Sequence, residues 1–224
     1  MRSSQENQVS EYLEKLVSGA SSHLVDFENQ SRQAAEELGL GAISLSRGEA
    51  HVLRWVVASK SAKKAVEIGT LTGLSGLYIL DGLMNGGKLW TLEKSPEHAE
   101  AANPILQKFS AKVGKNVEVV VGDARETLEK VCTEGPFDFI FIDGNKAAYG
   151  DYLSWAEVNL KKGGMLVADN VFLGGSVYAS GESARFSDKQ IAIMKKFNER
   201  LMDSSIWRGA LLPTGEGLFV AEKI

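Results

Sequence analysis

The sequence predicts an α/β fold, a doubly wound and mostly parallel sheet with helices before it and an antiparallel hairpin after it. Three observations carry this. From Lys63 onward, short apolar runs alternate with helical patterns, and strand–helix alternation builds parallel sheets through crossover connections. The runs are continuously apolar rather than alternating, as strands covered on both faces are. The tail IWRGALLPTGEGLFVAEKI reads as two strands around Pro213-Thr-Gly-Glu-Gly217, a hairpin signature.

The elements follow in order. Val9, Tyr12, Leu13, Leu16 and Val17 recur at helical spacing and form one apolar stripe. A second helix is expected over about 24–38, with Gly39 and Gly41 marking its turn. Ser46-Arg-Gly-Glu49 has the form of a capping box for a helix ending near Ser59. AVEIG, KLWTLE, NVEVVVGD, FDFIFID and MLVAD then supply five strands. Ser95-Pro96 pairs an N-cap with proline at the first helical position. Helices are expected through about Val131, over about 147–160 and over about 187–202, with Lys161-Lys-Gly-Gly ending the middle one. The whole reads as one domain, 1–224: a helical segment, 1–60, and a Rossmann-like core, 61–224.

Bulk properties narrow the function classes. A chain of 224 residues has room for a full core. A net charge of -4 argues mildly against nucleic acid as the partner. One cysteine, Cys132, excludes an internal disulfide and a cysteine-rich metal site. The polar start carries no signal core, and no apolar run reaches the length needed to span a bilayer. The expectation is a cytoplasmic soluble protein without a membrane partner.

In open parallel sheets, ligands bind beyond the carboxyl ends of the strands. The first strand runs into Glu67-Ile-Gly69-Thr70-Leu-Thr-Gly73-Leu-Ser75. Its glycines permit close backbone approach, and the next helix offers free N–H groups. The loop is neither G-x-G-x-x-G nor a P-loop, and Glu67 suits a ligand with a cationic end. Glu93, at the tip of the second strand, is placed to bond both ribose hydroxyls of an adenosine. Asp123 and Ala124, after the third strand, could read an adenine edge. Asp143, Asp169 and Asn170 put three hard oxygen ligands at neighbouring tips, suited to Mg2+, Mn2+ or Ca2+. Taken singly, Asp143 reads as an N-cap and Asp169-Asn170 as a turn; beside an adenosine-type site, the metal reading gains. Lys146, next to a dication, would be pushed toward its neutral form and become a usable base. His23, His51 and His98 are expected away from the strand tips, and Cys132 in packing. Trp155 could serve the core or a dimer contact. Tyr178 and Arg185 could touch substrate from the loop at 174–186 or simply be solvated.

The EIGTxTGxS loop, the FIDxxK and ADNVxxxGxV segments and the PTGEGLFVAEK tail together resemble the cation-dependent, S-adenosylmethionine-dependent O-methyltransferases, relatives of the caffeoyl-CoA and catechol enzymes. The resemblance spans about 43–224. It implies the seven-stranded class I methyltransferase sheet, commonly a homodimer. It implies a cofactor site of Glu67, Gly69, Thr70, Ser75, Glu93, Asp123, Ala124 and Asp143, a metal held by Asp143, Asp169 and Asn170, and catalysis by Lys146 with Asp143. The acceptor would be a small aromatic vicinal diol. Hydroxylated uridine in tRNA is the alternative, with Lys60, Lys63, Lys64, Lys161, Lys162, Lys195 and Lys196 as phosphate contacts; a third possibility is a methyltransferase-like binding protein. One departure stands out. Many relatives read Asp-Ala-Asp-Lys where this chain has Asp143-Gly144-Asn145-Lys146, which removes a negative charge beside the metal.

Overall fold

The computed structural model describes residues 12, 15, 16, 22–41, 45–179 and 185–224. Of the first apolar stripe, Tyr12 and Leu16 are helical and exposed; Val9, Leu13 and Val17 lie outside the described residues. Two helices precede the sheet, α1 (Ser22–Glu37) and α2 (Arg47–Ser59). The core alternates β1 (Lys64–Ile68), α3 (Leu74–Gly82), β2 (Lys88–Glu93), α4 (Pro96–Lys112), β3 (Asn116–Val121), α5 (Ala124–Val131), β4 (Phe137–Ile142), α6 (Tyr149–Asn159), β5 (Leu160–Ala168) and α7 (Asp188–Leu201), before β6 (Trp207–Leu212) and β7 (Leu218–Lys223).

The seven strands lie in the order β3-β2-β1-β4-β5-β7-β6. The first five in that order are mutually parallel, and β7 pairs antiparallel with both β5 and β6. This is the expected doubly wound sheet with its terminal hairpin. Successive side chains along a strand point to opposite faces, so each strand feeds two cores. Val66, Ile68, Ile140 and Ile142 pack with residues of α5, α6 and α7. Ala65, Phe139 and Phe141 pack with residues of α1 to α4. Both faces of the central strands are therefore buried, as their unbroken apolar runs require.

Local signals hold where chemistry fixes them. Ser46 and Glu49 form the capping box of α2, and Ser95 with Pro96 starts α4. The structure departs from expectation at three elements. β3 is half exposed, because it forms the sheet edge and lacks a neighbour on one side. β5 begins at Leu160, which pairs with Phe137; the register then shifts, so that Met165 pairs with Phe139. Lys161 to Gly164 thus stand against the single residue Asp138, with Gly163 at φ 76. α6 begins at Tyr149, after a 3-10 turn over Lys146–Ala148.

Candidate active site

The tips of β1, β2, β4 and β5 surround a cavity of about 760 Å³. Of the residues expected there, Gly69, Thr70, Ser75, Glu93, Asp123, Ala124, Asp143, Lys146, Asp169 and Asn170 line it. Glu67 does not. The alternation of β1 turns it onto the α3 face of the sheet, fully buried, where it accepts hydrogen bonds from Ser75 and from the Thr91 hydroxyl at 2.6 Å. Thr91 also shares a hydrogen bond with Thr70. Glu67 thus ties the two ends of the glycine loop, Ser75 directly and Thr70 through Thr91, to the neighbouring strand.

Burial pushes the Glu67 carboxyl from 4.5 up to about 7, against the Ser75 and Thr91 hydroxyls, which favour the charged form; Asp143 and Glu93 add to the rise. The unfolded chain ionises first as pH rises, so stability is lost across roughly pH 4.5 to 7. The melting temperature of the unliganded protein should fall over that window, by the equivalent of about 3 kcal/mol from this group. Glu67→Gln should flatten the fall, and an unchanged slope would remove the assignment.

The loop that follows is shaped by backbone. Gly69 has φ 103, and a Cβ there would collide with the Asp143 carbonyl. Gly73 has φ 92 and opens α3. Glu93 accepts the backbone N–H groups of Thr70 (3.2 Å) and Leu71 (2.8 Å) on one oxygen and that of Ser95 (2.9 Å) on the other. Each carboxylate oxygen has two lone pairs, so acceptor capacity remains toward the cavity. Asp123 caps α5 and holds Arg125, whose hydrogen bonds keep its carboxyl well below the usual range.

Asp143 and Asp169 stand side by side. The Asp143 N–H donates to the Ile68 carbonyl and the Asp169 N–H to that of Ile142, continuing the β1–β4 and β4–β5 ladders by one residue. Asn170 follows with φ 58, and its amide lies 3.3 Å from Asp169. Asp169 is 4% exposed. Burial, then the charges of Asp143 and Glu49, push its carboxyl up to about 8. This is a crowd of anions around hard oxygen donors, the chemistry a small dication fits. Among the described residues, no three His, Cys, Asp or Glu side chains form a metal-ligating group; the set here comprises two acids and an amide.

Lys146 donates to Asp143 and to the Tyr149 hydroxyl, both at 2.8 Å. Burial alone would lower its pKa, but Asp143 and Tyr149 outweigh that and hold it above the ordinary lysine value. Tyr149 is fully buried and donates in turn to the Asp169 carbonyl at 2.9 Å. It links the base candidate to the tip of β5, and nothing in the local sequence marks it. Asn145 accepts the Ala147 N–H and caps the 3-10 turn, a task an aspartate would also perform, so the uncharged residue keeps the geometry.

His98, expected elsewhere, lines the cavity with its Nδ1 3.6 Å from Glu93, because the N-terminus of α4 faces the tip of β2. His23 pairs with Asp81 and His51 stacks edge-on to Tyr78. Cys132 is only partly buried and donates to the Glu129 carbonyl. Trp155 packs on Phe137 in the core. Tyr178 is exposed, whereas Arg185 and Glu216 join the cavity lining.

The O-methyltransferase family model matches residues 18–224 of this chain. A catechol O-methyltransferase of Mycobacterium tuberculosis is 37% identical over 151 residues, 67% of this chain and 67% of that protein. A catechol O-methyltransferase of Niastella koreensis is 34% identical over 177 residues, 76% of this chain and 77% of that one. The crystal structure of a Streptomyces achromogenes O-methyltransferase involved in tomaymycin synthesis, in complex with SAM, matches with a TM-score of 0.83 at 27% identity, covering 100% of this chain and 99% of that one. A Bacillus cereus O-methyltransferase in complex with SAH gives 0.79 at 26% identity, covering 93% and 97%.

Proposed function

The chain belongs to the O-methyltransferase family, and from that premise we propose that it carries the methyl group of S-adenosylmethionine to a hydroxyl oxygen of a small aromatic vicinal diol, with a divalent cation, most simply Mg2+, at the strand tips. The observation that carries this reading is the pairing of Asp143 with buried Asp169 at adjacent tips beside Lys146.

In this reading Gly69, Thr70, Asp123 and Ala124 line the donor's pocket, Glu93 accepts from its ribose, and Ser75, braced by Glu67, faces its amino-acid end. Asp143, Asp169 and Asn170 hold the cation. When bound, the cation would chelate both diol oxygens and lower the pKa of the one that attacks. Lys146 takes that hydroxyl's proton as the oxygen's electron pair forms the bond to the methyl carbon, and the pair of the broken bond stays on sulfur. Asp143 holds Lys146 in its charged form; a cation sharing the Asp143 carboxylate would weaken that support and favour the neutral amine that a base requires. Tyr149 keeps the amine in place throughout.

The catechol enzymes among the relatives support the acceptor class. Two of the lysines considered for a phosphate patch are neutralised locally, Lys60 by Glu222 at 2.8 Å and Lys161 by Asp138 at 2.6 Å, which weighs against tRNA. Family membership weighs against a binding-only protein. The same reading takes 1–224 as one domain acting as a cytoplasmic homodimer; among the described residues no helix is long and apolar enough to cross a membrane.

A labelled-methyl assay across small catechols and bulk tRNA, with added Mg2+ and with EDTA, tests it. Transfer to catechol should depend on the metal and fall to background in EDTA. Full turnover by a metal-stripped sample would refute the cation's role, and transfer to tRNA alone would replace the acceptor.

A further inference from the structure

We propose that His98 is a second ligand of the donor's ribose: its imidazole bonds one of the two vicinal hydroxyls, while Glu93 accepts from the other. The inference rests on the cofactor reading above and adds a residue to it; the cation plays no part in it.

The lone pairs of Glu93 decide the division. A carboxylate offers about four acceptor sites, two on each oxygen. Oε2 accepts the N–H groups of Thr70 and Leu71, and Oε1 accepts that of Ser95. One site on Oε1 remains, enough for one ribose hydroxyl and not for two. A vicinal diol therefore leaves its second hydroxyl to another group. His98 stands at the open oxygen. Its Nδ1 lies 3.6 Å from Oε1, too far for the two to satisfy each other by a hydrogen bond. The ring lines the cavity, and its side chain is 25% exposed. An imidazole nitrogen can donate to a hydroxyl or accept from one, so the ring suits either orientation of the sugar. The backbone holds it there: the His98 N–H donates to the Ser95 hydroxyl that caps α4, at 3.4 Å. The other polar side chains on this side of the cavity are engaged. Thr70 bonds Thr91, Ser75 bonds Glu67, and Lys94 is 74% exposed beside Asp123.

The test is calorimetric titration of the full chain with S-adenosylhomocysteine and with its 2′-deoxy and 3′-deoxy analogues, for the wild type and for His98→Phe. Phenylalanine keeps a ring of similar size and removes both nitrogens. His98→Phe should bind S-adenosylhomocysteine about 3–10-fold more weakly, the effect of one neutral hydrogen bond. That loss should vanish for one deoxy analogue, the one lacking the hydroxyl that His98 binds, and persist for the other. The melting temperature without ligand should stay close to wild type. In the methyl-transfer assay, KM for S-adenosylmethionine should rise by the same factor, with kcat unchanged. Unchanged affinity for all three ligands overturns the inference. So does an equal loss on all three, because ring packing and not a hydroxyl would then be responsible. Either result leaves the proposed function standing. A wild type that takes up no S-adenosylhomocysteine sinks both.

Discussion

Asp169→Ala is expected to abolish methyl transfer, a loss of roughly three orders of magnitude or more in turnover, and to remove divalent-cation uptake with it. The size of the effect follows from position. Asp169 is buried and lies one residue beyond the β4–β5 ladder, which fixes its carboxylate at the strand tip. The fold should survive. Removing a carboxylate that burial, Asp143 and Glu49 all disfavour relieves repulsion, so the metal-free variant should melt no lower than the wild type near pH 8. The measurements are the labelled-methyl assay with a good catechol acceptor and a parallel metal titration. Turnover within tenfold of wild type would end the proposed role of Asp169.

Lys146→Met is expected to lower turnover by about 10²- to 10⁴-fold, the usual range for losing a positioned base. Methionine keeps most of the side chain's length and leaves Asp143 in place, so S-adenosylhomocysteine and Mn2+ should still bind. The pH profile separates this loss from a structural one. A lysine that must be neutral to act gives the wild type a rate that rises with pH toward the amine's pKa in the loaded enzyme; the variant should lack that limb. A variant that keeps both the limb and the rate would transfer the base role elsewhere. Tyr149 bears on the same result, because its hydroxyl takes a second hydrogen bond from the amine.

How much of this was readable from the amino-acid order depends on the range of the signal. Apolar runs that stop at an acid placed Glu93, Asp143 and Asp169 correctly at strand tips, because strand burial and strand ends are both written locally. The capping boxes at Ser46 and the Ser95-Pro96 start are equally local. Glu67 sat in the same pattern and still pointed away from the cavity; which face of β1 it occupies is set by pairing register with β2 and β4. Glu49 was legible as a cap and silent as a cavity residue, since the capping box is written locally and the cavity is assembled from distant strand tips. Tyr149 joins the site by reaching the Asp169 carbonyl on the next strand, and His98 by standing where α4 opens beside Glu93, placements that no local residue pattern records. The exposure of β3 follows from its place at the sheet edge, which no feature of NVEVVV records.

The strand order has a consequence for how the molecule comes into being. β7 is the last of the seven to be synthesised, yet it lies inside the sheet, between β5 and β6. The turn before it supplies the backbone partners of Val171 and Phe172 and brings Glu216 to the cavity. A nascent chain that has not yet delivered residue 218 through the ribosome therefore carries an uncovered β5 edge and a catalytic mouth without its outer wall. Activity can begin only after translation has passed that point, and a product stopped short of it presents a bare strand edge to chaperones and proteases.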